Sequence, residues 1–180
     1  RQMCIRDRTD CVVGLSSMAA AASLAGQEKQ EPEQSYLNGA TFYDYYETQD
    51  GRYLSIGSLE PQFLHGLAQI LDLPIVAEKG ASLATEDRQV VKQAIKDKIK
   101  TQDFATWNAI FQQQDVCVEP VLKLDEALDS QLAKDRAWVV SVPLQEGGTK
   151  SEQQLACPIK FSRSKIRYEF IGKPLGFDSL

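Results

Sequence analysis

The sequence predicts a mixed α/β chain. Two runs rich in Tyr, Phe, Ile and Leu flank an Asp-Gly turn, three later segments repeat apolar residues at helical spacing, and another pair of short apolar runs flanks Gly147-Gly148. Taken in chain order, residues 12–25 are dominated by small apolar side chains, which suits a helix packed closely against another element. Residues 27–35 are polar, hold Pro32 and read as a connection. Residues 41–48 and 52–58 then form a hairpin around Gln49-Asp50-Gly51, since Asp-Gly supplies the positive φ that a tight turn needs.

Glu60-Pro61 opens a helix, because proline suits the first turn and Phe63, Leu64, Leu67, Ile70 and Leu71 follow at helical spacing. Leu73-Pro74 is read as its end. A second helix is expected over residues 85–100, with Thr85 as cap, Glu86 and Asp87 in the first turn and lysines toward the end, where the helix dipole favours each charge. A third, over 103–113, buries Phe104, Trp107, Ile110 and Phe111. Residues 116–122 read as a strand, 124–135 as one helix, and 138–144 and 153–159 as strands.

With 43% hydrophobic and 25% charged residues in 180, the composition is that of a globular protein, and no apolar run reaches membrane-span length. The net charge of −5 argues against nucleic acid or an anionic membrane as main partner, since both reward a basic surface. Cys4, Cys11, Cys117 and Cys157 form neither a C-x-x-C pair nor a zinc-like set, so they are expected to be free thiols in a reducing, cytoplasmic setting. No metal set or dinucleotide fingerprint is present, and no cofactor is expected. Residues 1–8 look like a translated sequencing-adaptor junction and are set aside from the fold reasoning.

The most informative stretch runs Leu37-Asn38-Gly39-Ala40-Thr41-Phe42-Tyr43, then Tyr46-Glu47-Thr48, Asp50-Gly51-Arg52-Tyr53 and Gly57-Ser58-Leu59-Glu60-Pro61-Gln62-Phe63. It resembles the family III coenzyme A transferases, and most closely their α-methylacyl-CoA racemase branch. Phe104 to Phe111, with its central Trp107, and Asp115-Val116-Cys117-Val118-Glu119-Pro120-Val121 resemble later family segments, and Phe161-Ser162-Arg163-Ser164 resembles the family's return toward its large domain. The resemblance implies an acyl-CoA thioester as substrate, an interlocked homodimer, and a site assembled from a large-domain His and Asp plus a small-domain Glu of the partner subunit. Glu60 matches that Glu in E-P-Q-F; Tyr43, and beside Glu60 Leu59, match positions that line the same pocket. The family's His and Asp would lie upstream. The resemblance also implies a domain plan: residues 9–35 end a large-domain helix and linker, 36–145 form the small domain, and 146–180 return toward the large one.

Ordinary explanations compete for each of these residues. An acid beside a helix start is a common surface feature, and only the surrounding motif gives Glu60 a further meaning. Tyr43 suits a half-buried strand position equally well, while Tyr45, Tyr46 and Tyr53 are assigned to packing or surface. His65, the sole histidine, lies five residues after Glu60, a rotation of about 140° along a helix, so the two should not share a face. Cys117, flanked by valines, is expected to be an inert buried thiol. Lys160, Arg163, Lys165 and Arg167 read as a solvated basic face rather than a phosphate site, and Gly172 to Gly176 as a turn. Three functions follow: an acyl-CoA racemase or epimerase acting at the α-carbon of 2-methylacyl-CoA thioesters, a transferase moving coenzyme A between carboxylic acids, or a non-catalytic dimerisation module. The G-S-L-E-P-Q-F form leads to the first, with the isolated chain inactive alone.

Overall fold

A computed structural model of the chain describes residues 8–26, 37, 39–82 and 84–172. The expected connection over residues 27–35, and all but the first residue of the expected turn at 172–176, lie outside the described residues. The chain divides into two units, Arg1–Val121 and Leu122–Leu180.

In the first unit, the alanine-rich stretch forms α1 (Arg8–Leu15) and α2 (Ser17–Gly26). Ser16 marks the join, where both its N–H and its hydroxyl donate to Val12 O. The close packing expected of this stretch is not found. Val12, Val13, Leu15, Met18 and Leu24 are exposed, and α2 buries no residue. Small side chains permit close approach and high helix propensity, but they do not supply the opposing surface.

The hairpin forms as expected. β1 (Asp44–Glu47) pairs antiparallel with β2 (Tyr53–Ile56), and β2 pairs antiparallel with β3 (Val118–Pro120). Gly51 takes the turn at φ +78°, where Thr48 N–H donates to Arg52 O at 2.8 Å. Successive strand residues point to opposite faces, so Tyr46, Leu54 and Ile56 enter the core while Tyr45 and Tyr53 remain exposed.

Helices cover that inner face. α3 (Pro61–Leu71) starts on Pro61 and buries Leu64, Leu67, Ala68 and Leu71. Asp72 ends it in a left-handed conformation. Leu73-Pro74 is not merely a stop: Pro74 opens α4 (Pro74–Lys79), because a proline that ends one helix can occupy the first turn of the next. α5 (Thr85–Ile99) is preceded by Ala84 as cap rather than by Thr85, and buries Val91, Ile95 and Ile99. In α6 (Phe104–Phe111), the capping Asp103 accepts Thr106 N–H at 2.8 Å. Buried Trp107 stacks on Phe111 at 5.7 Å between ring centroids and donates its indole N–H to Ile99 O at 2.8 Å, so its polar atom is satisfied inside the core. Asp50 ties the hairpin turn to this helix by accepting both the Thr48 hydroxyl and Phe104 N–H.

The second unit is slighter. The single helix expected over 124–135 is two, α7 (Leu124–Asp129) and α8 (Gln131–Asp135). Ser130 separates them in an extended conformation, where its hydroxyl accepts Ala133 N–H and caps α8. β4 (Val139–Pro143) and β5 (Ser151–Leu155) form a two-stranded antiparallel ribbon. Ala133 and Val142 are the buried apolar side chains among its described residues. Lys160, Arg163, Lys165 and Arg167 are exposed.

Candidate functional site

The strongest chemistry-bearing residues of the sequence lie at one end of the three-stranded sheet. The β1–β2 register pairs Asp44 with Ile56, and the next pair outward is Tyr43 and Gly57. The β2–β3 register pairs Ile56 with Val118, and the next pair outward is Gly57 and Cys117. Gly57 therefore lies between Tyr43 and Cys117. Its N–H donates to Cys117 O at 2.9 Å. A Cβ on Gly57 would stand 3.0 Å from Tyr43 Cε2, so the absent side chain leaves room for the tyrosine ring to lie against the backbone.

After Gly57 the chain leaves the sheet. Leu59 N–H turns back to Gly57 O at 2.8 Å, and Glu60 follows in an extended conformation as the residue before α3. Ser58 is fully buried, and its hydroxyl donates to Val116 O across 58 residues of sequence. Leu59 is half-buried and packs against the hydrophobic core. Glu60 is exposed and does not cap α3 with its side chain. Proline suits the first helical position, where its missing N–H is one of the donors that a helix leaves unpaired.

The segment that carries Tyr43 is anchored separately. Thr41 is buried, and its hydroxyl accepts Tyr43 N–H at 3.1 Å. Next to Tyr43, Asp44 forms an ion pair with Lys92 of α5, which also donates to Gly39 O. Tyr46 donates its hydroxyl to Phe42 O at 2.7 Å, and burial, with a smaller effect from Asp44, keeps its phenol protonated well above the usual range. Tyr43 itself remains half-buried, with one face toward Gly57.

Cys117 departs from expectation. The flanking Val116 and Val118 are buried, but Cys117 is exposed and has φ +52°. Successive side chains along a strand face opposite ways, so burial of Val116 and Val118 leaves the residue between them on the outer face. Desolvation, then the negative charges of Glu60, Asp115 and Glu119, push its thiol above the ordinary value. The thiol is therefore protonated at neutral pH, which does not suit a nucleophile.

His65 is exposed on α3 and donates from Nδ1 to Pro61 O at 2.6 Å. The bond within its own helix uses the ring locally. The structure thus brings Tyr43, Leu59 and Glu60 to one end of the first unit and gives His65 a separate local partner. Gly57 and Ser58 stand in the resembling stretch, but sequence reasoning assigns them no role of their own. Their signal was available in part: Gly57 ends an apolar strand at the register position facing Tyr43, although the tie from Ser58 to Val116 depends on a distant strand. Among the described residues no three His, Cys, Asp or Glu side chains form a metal-binding group, and no helix is long and apolar enough to cross a membrane.

A family model for CoA-transferase family III matches residues 8–179. The chain is 36% identical over 128 residues to the α-methylacyl-CoA racemase of Mus musculus, covering 71% of this chain and 33% of that protein. It is 32% identical over 103 residues to the Homo sapiens α-methylacyl-CoA racemase, covering 57% and 27%. The chain thus spans no more than about a third of the length of these curated relatives. Among solved structures, a CAIB/BAIF family protein from Brucella suis matches with a TM-score of 0.66 at 18% identity, covering 89% of this chain and 42% of that one. Rv3272 from Mycobacterium tuberculosis, in an orthorhombic form, matches with a TM-score of 0.65 at 14% identity, again covering 89% and 42%. At these identities the two structures establish likeness of fold.

Proposed function

The chain belongs to CoA-transferase family III, and on that premise we propose that it is the C-terminal part of an acyl-CoA racemase or epimerase to which Glu60 contributes a carboxylate. The observation that carries this reading is an exposed acid, unused as a cap, within the sequence that resembles the racemase branch. The similarity to two α-methylacyl-CoA racemases supports the substrate class, a 2-methylacyl-CoA thioester.

The chemistry explains why such a carboxylate is useful. Inversion beside a thioester requires one group to remove the α-proton and another to deliver a proton to the opposite face. The enolate formed between these steps needs hydrogen-bond donors at its oxygen. One carboxylate does not do both proton transfers. Glu60 instead accepts an N–H from an imidazole brought by the upstream part of the protein, fixes its orientation and stabilises its protonated form. Tyr43 and Leu59 shape the adjoining wall. In this reading the complete site is shared across a homodimer, and the isolated chain is inactive.

A second reading is a transferase that moves coenzyme A between carboxylic acids, favoured by the description of the family itself. It would use an acyl intermediate on an upstream Asp. Solvent deuterium exchange separates the two. In the full-length protein, Glu60→Gln is expected to slow α-proton exchange about 10²-fold or more, a size typical of acid–base machinery, with thioester affinity little changed. Wild-type exchange in that variant would refute the role of Glu60. Transfer of coenzyme A without deuterium incorporation would favour the second reading.

A further inference from the structure

The position of Glu60 depends on how the 57–60 turn is held, and two ties join that turn to the segment before β3. Gly57 N–H reaches Cys117 O at 2.9 Å, and the Ser58 hydroxyl reaches Val116 O. Gly57 continues the ladder between β2 and β3 by one backbone bond. Ser58 is where the backbone turns away, shown by Leu59 N–H bonding back to Gly57 O. Its side chain takes over the connection. Both ends of that bond are inside the protein, with Ser58 0% and Val116 5% exposed, so water does not readily replace it. Two residues further on stands Glu60, exposed and without a side-chain cap. Nothing on its own side chain fixes its place; the turn beneath it does.

We infer that Ser58 is a positioning residue, whose buried hydroxyl sets the point from which the Glu60 carboxylate reaches the reacting groups. This rests on the proposed role of Glu60. Substituting alanine leaves Val116 O without its donor and frees the turn from one of its two ties. A displacement of about 1 Å near reacting groups is enough for large rate losses. The effect should fall on kcat, because the thioester is not held by Ser58.

The test is a double-mutant cycle in the full-length protein, read by α-proton exchange with deuterated solvent for Ser58→Ala, Glu60→Gln and the double variant. Expected are about a tenfold fall in kcat for Ser58→Ala with KM unchanged, and less than a twofold further fall when it is added to Glu60→Gln. An equal fold loss in both backgrounds would show that Ser58 acts through general structure and overturn the inference, and so would no loss from Ser58→Ala in the wild-type background. If Glu60→Gln is itself fully active, the function reading fails, a result distinct from either. Should Ser58→Ala not fold, Ser58→Cys, which retains a weak donor of similar size, is read in the same cycle with an intermediate loss expected. Failure of both variants to fold assigns Ser58 to stability and overturns the positioning role.

Discussion

The two units differ sharply in how much of their apolar surface they bury by themselves. In Arg1–Val121, α1, α2 and the outer face of the hairpin stay exposed, but side chains from Phe42 to Val118 form one continuous buried cluster, with Trp107 at 1% exposure and satisfied at its indole N–H. In Leu122–Leu180, all five residues of β5 are exposed, as are Leu124, Leu132, Ile159, Phe161 and Ile166. The difference teaches where local order has an independent source. A two-stranded ribbon with one buried strand residue has little hydrophobic support, whereas the three-stranded sheet has helices over its inner face.

The largest expected effect is therefore in the first unit. Leu67 is fully buried on α3, and Leu67→Ala should destabilise that unit by about 2–5 kcal/mol through lost transfer energy and the cavity left behind. Urea unfolding followed by Trp107 fluorescence, with Trp138→Phe to silence the other unit's indole, reads it directly. A loss below about 0.5 kcal/mol, the range of ordinary surface substitutions, would break the comparison.

A smaller effect is expected from a single cap in the second unit. Ser130 accepts Ala133 N–H, and Ser130→Ala should cost about 1 kcal/mol at the start of α8. Amide exchange along residues 131–135 and in β4 is the appropriate measurement, because a weakly supported unit opens locally before it unfolds globally. Slower exchange in β4 than in β2 would contradict the proposed difference in support.

Much of the first unit was legible because its signals are local. The Asp-Gly turn, the helical spacing of Leu64, Leu67 and Leu71, and the proline at the head of α3 each act within a few residues. The placement of Glu60 before a proline-led helix followed from the same kind of evidence. What was not legible depends on distant partners or on one residue serving two patterns. Pro74 ends one helical pattern and begins another, and Ser130 looks like a helix residue until its hydroxyl is seen to cap. Cys117 has strand neighbours, yet it takes φ +52°, and its carbonyl accepts Gly57 N–H from sixty residues earlier. Tyr43 and Gly57 can be aligned by counting outward from the turn; the Ser58 bond to Val116 cannot. For α1 and α2, composition indicated helix correctly and gave no information about what their exposed apolar side chains would meet.

The smallest expected effect concerns acid, and it separates the units by the use they make of carboxylates. In the first, Asp50 is held below its ordinary value chiefly by the Thr48 hydroxyl, Asp87 chiefly by Lys79, and Asp103 chiefly by Thr106. In the second, Asp129 is held below its ordinary value by Lys134. A carboxyl depressed on folding binds its proton more readily in the unfolded chain, so its stabilisation is present above the unfolded value of 3.8 and disappears as pH falls through the lower folded value. Asp50 joins the hairpin turn to the first residue of α6. Asp50→Asn should thus make the urea midpoint of the first unit, followed by Trp107, less sensitive to acid over roughly pH 5 to 2. The Trp138 transition should keep its acid dependence. An unchanged slope at Trp107 would mean that this junction between turn and helix does not contribute to the first unit's advantage.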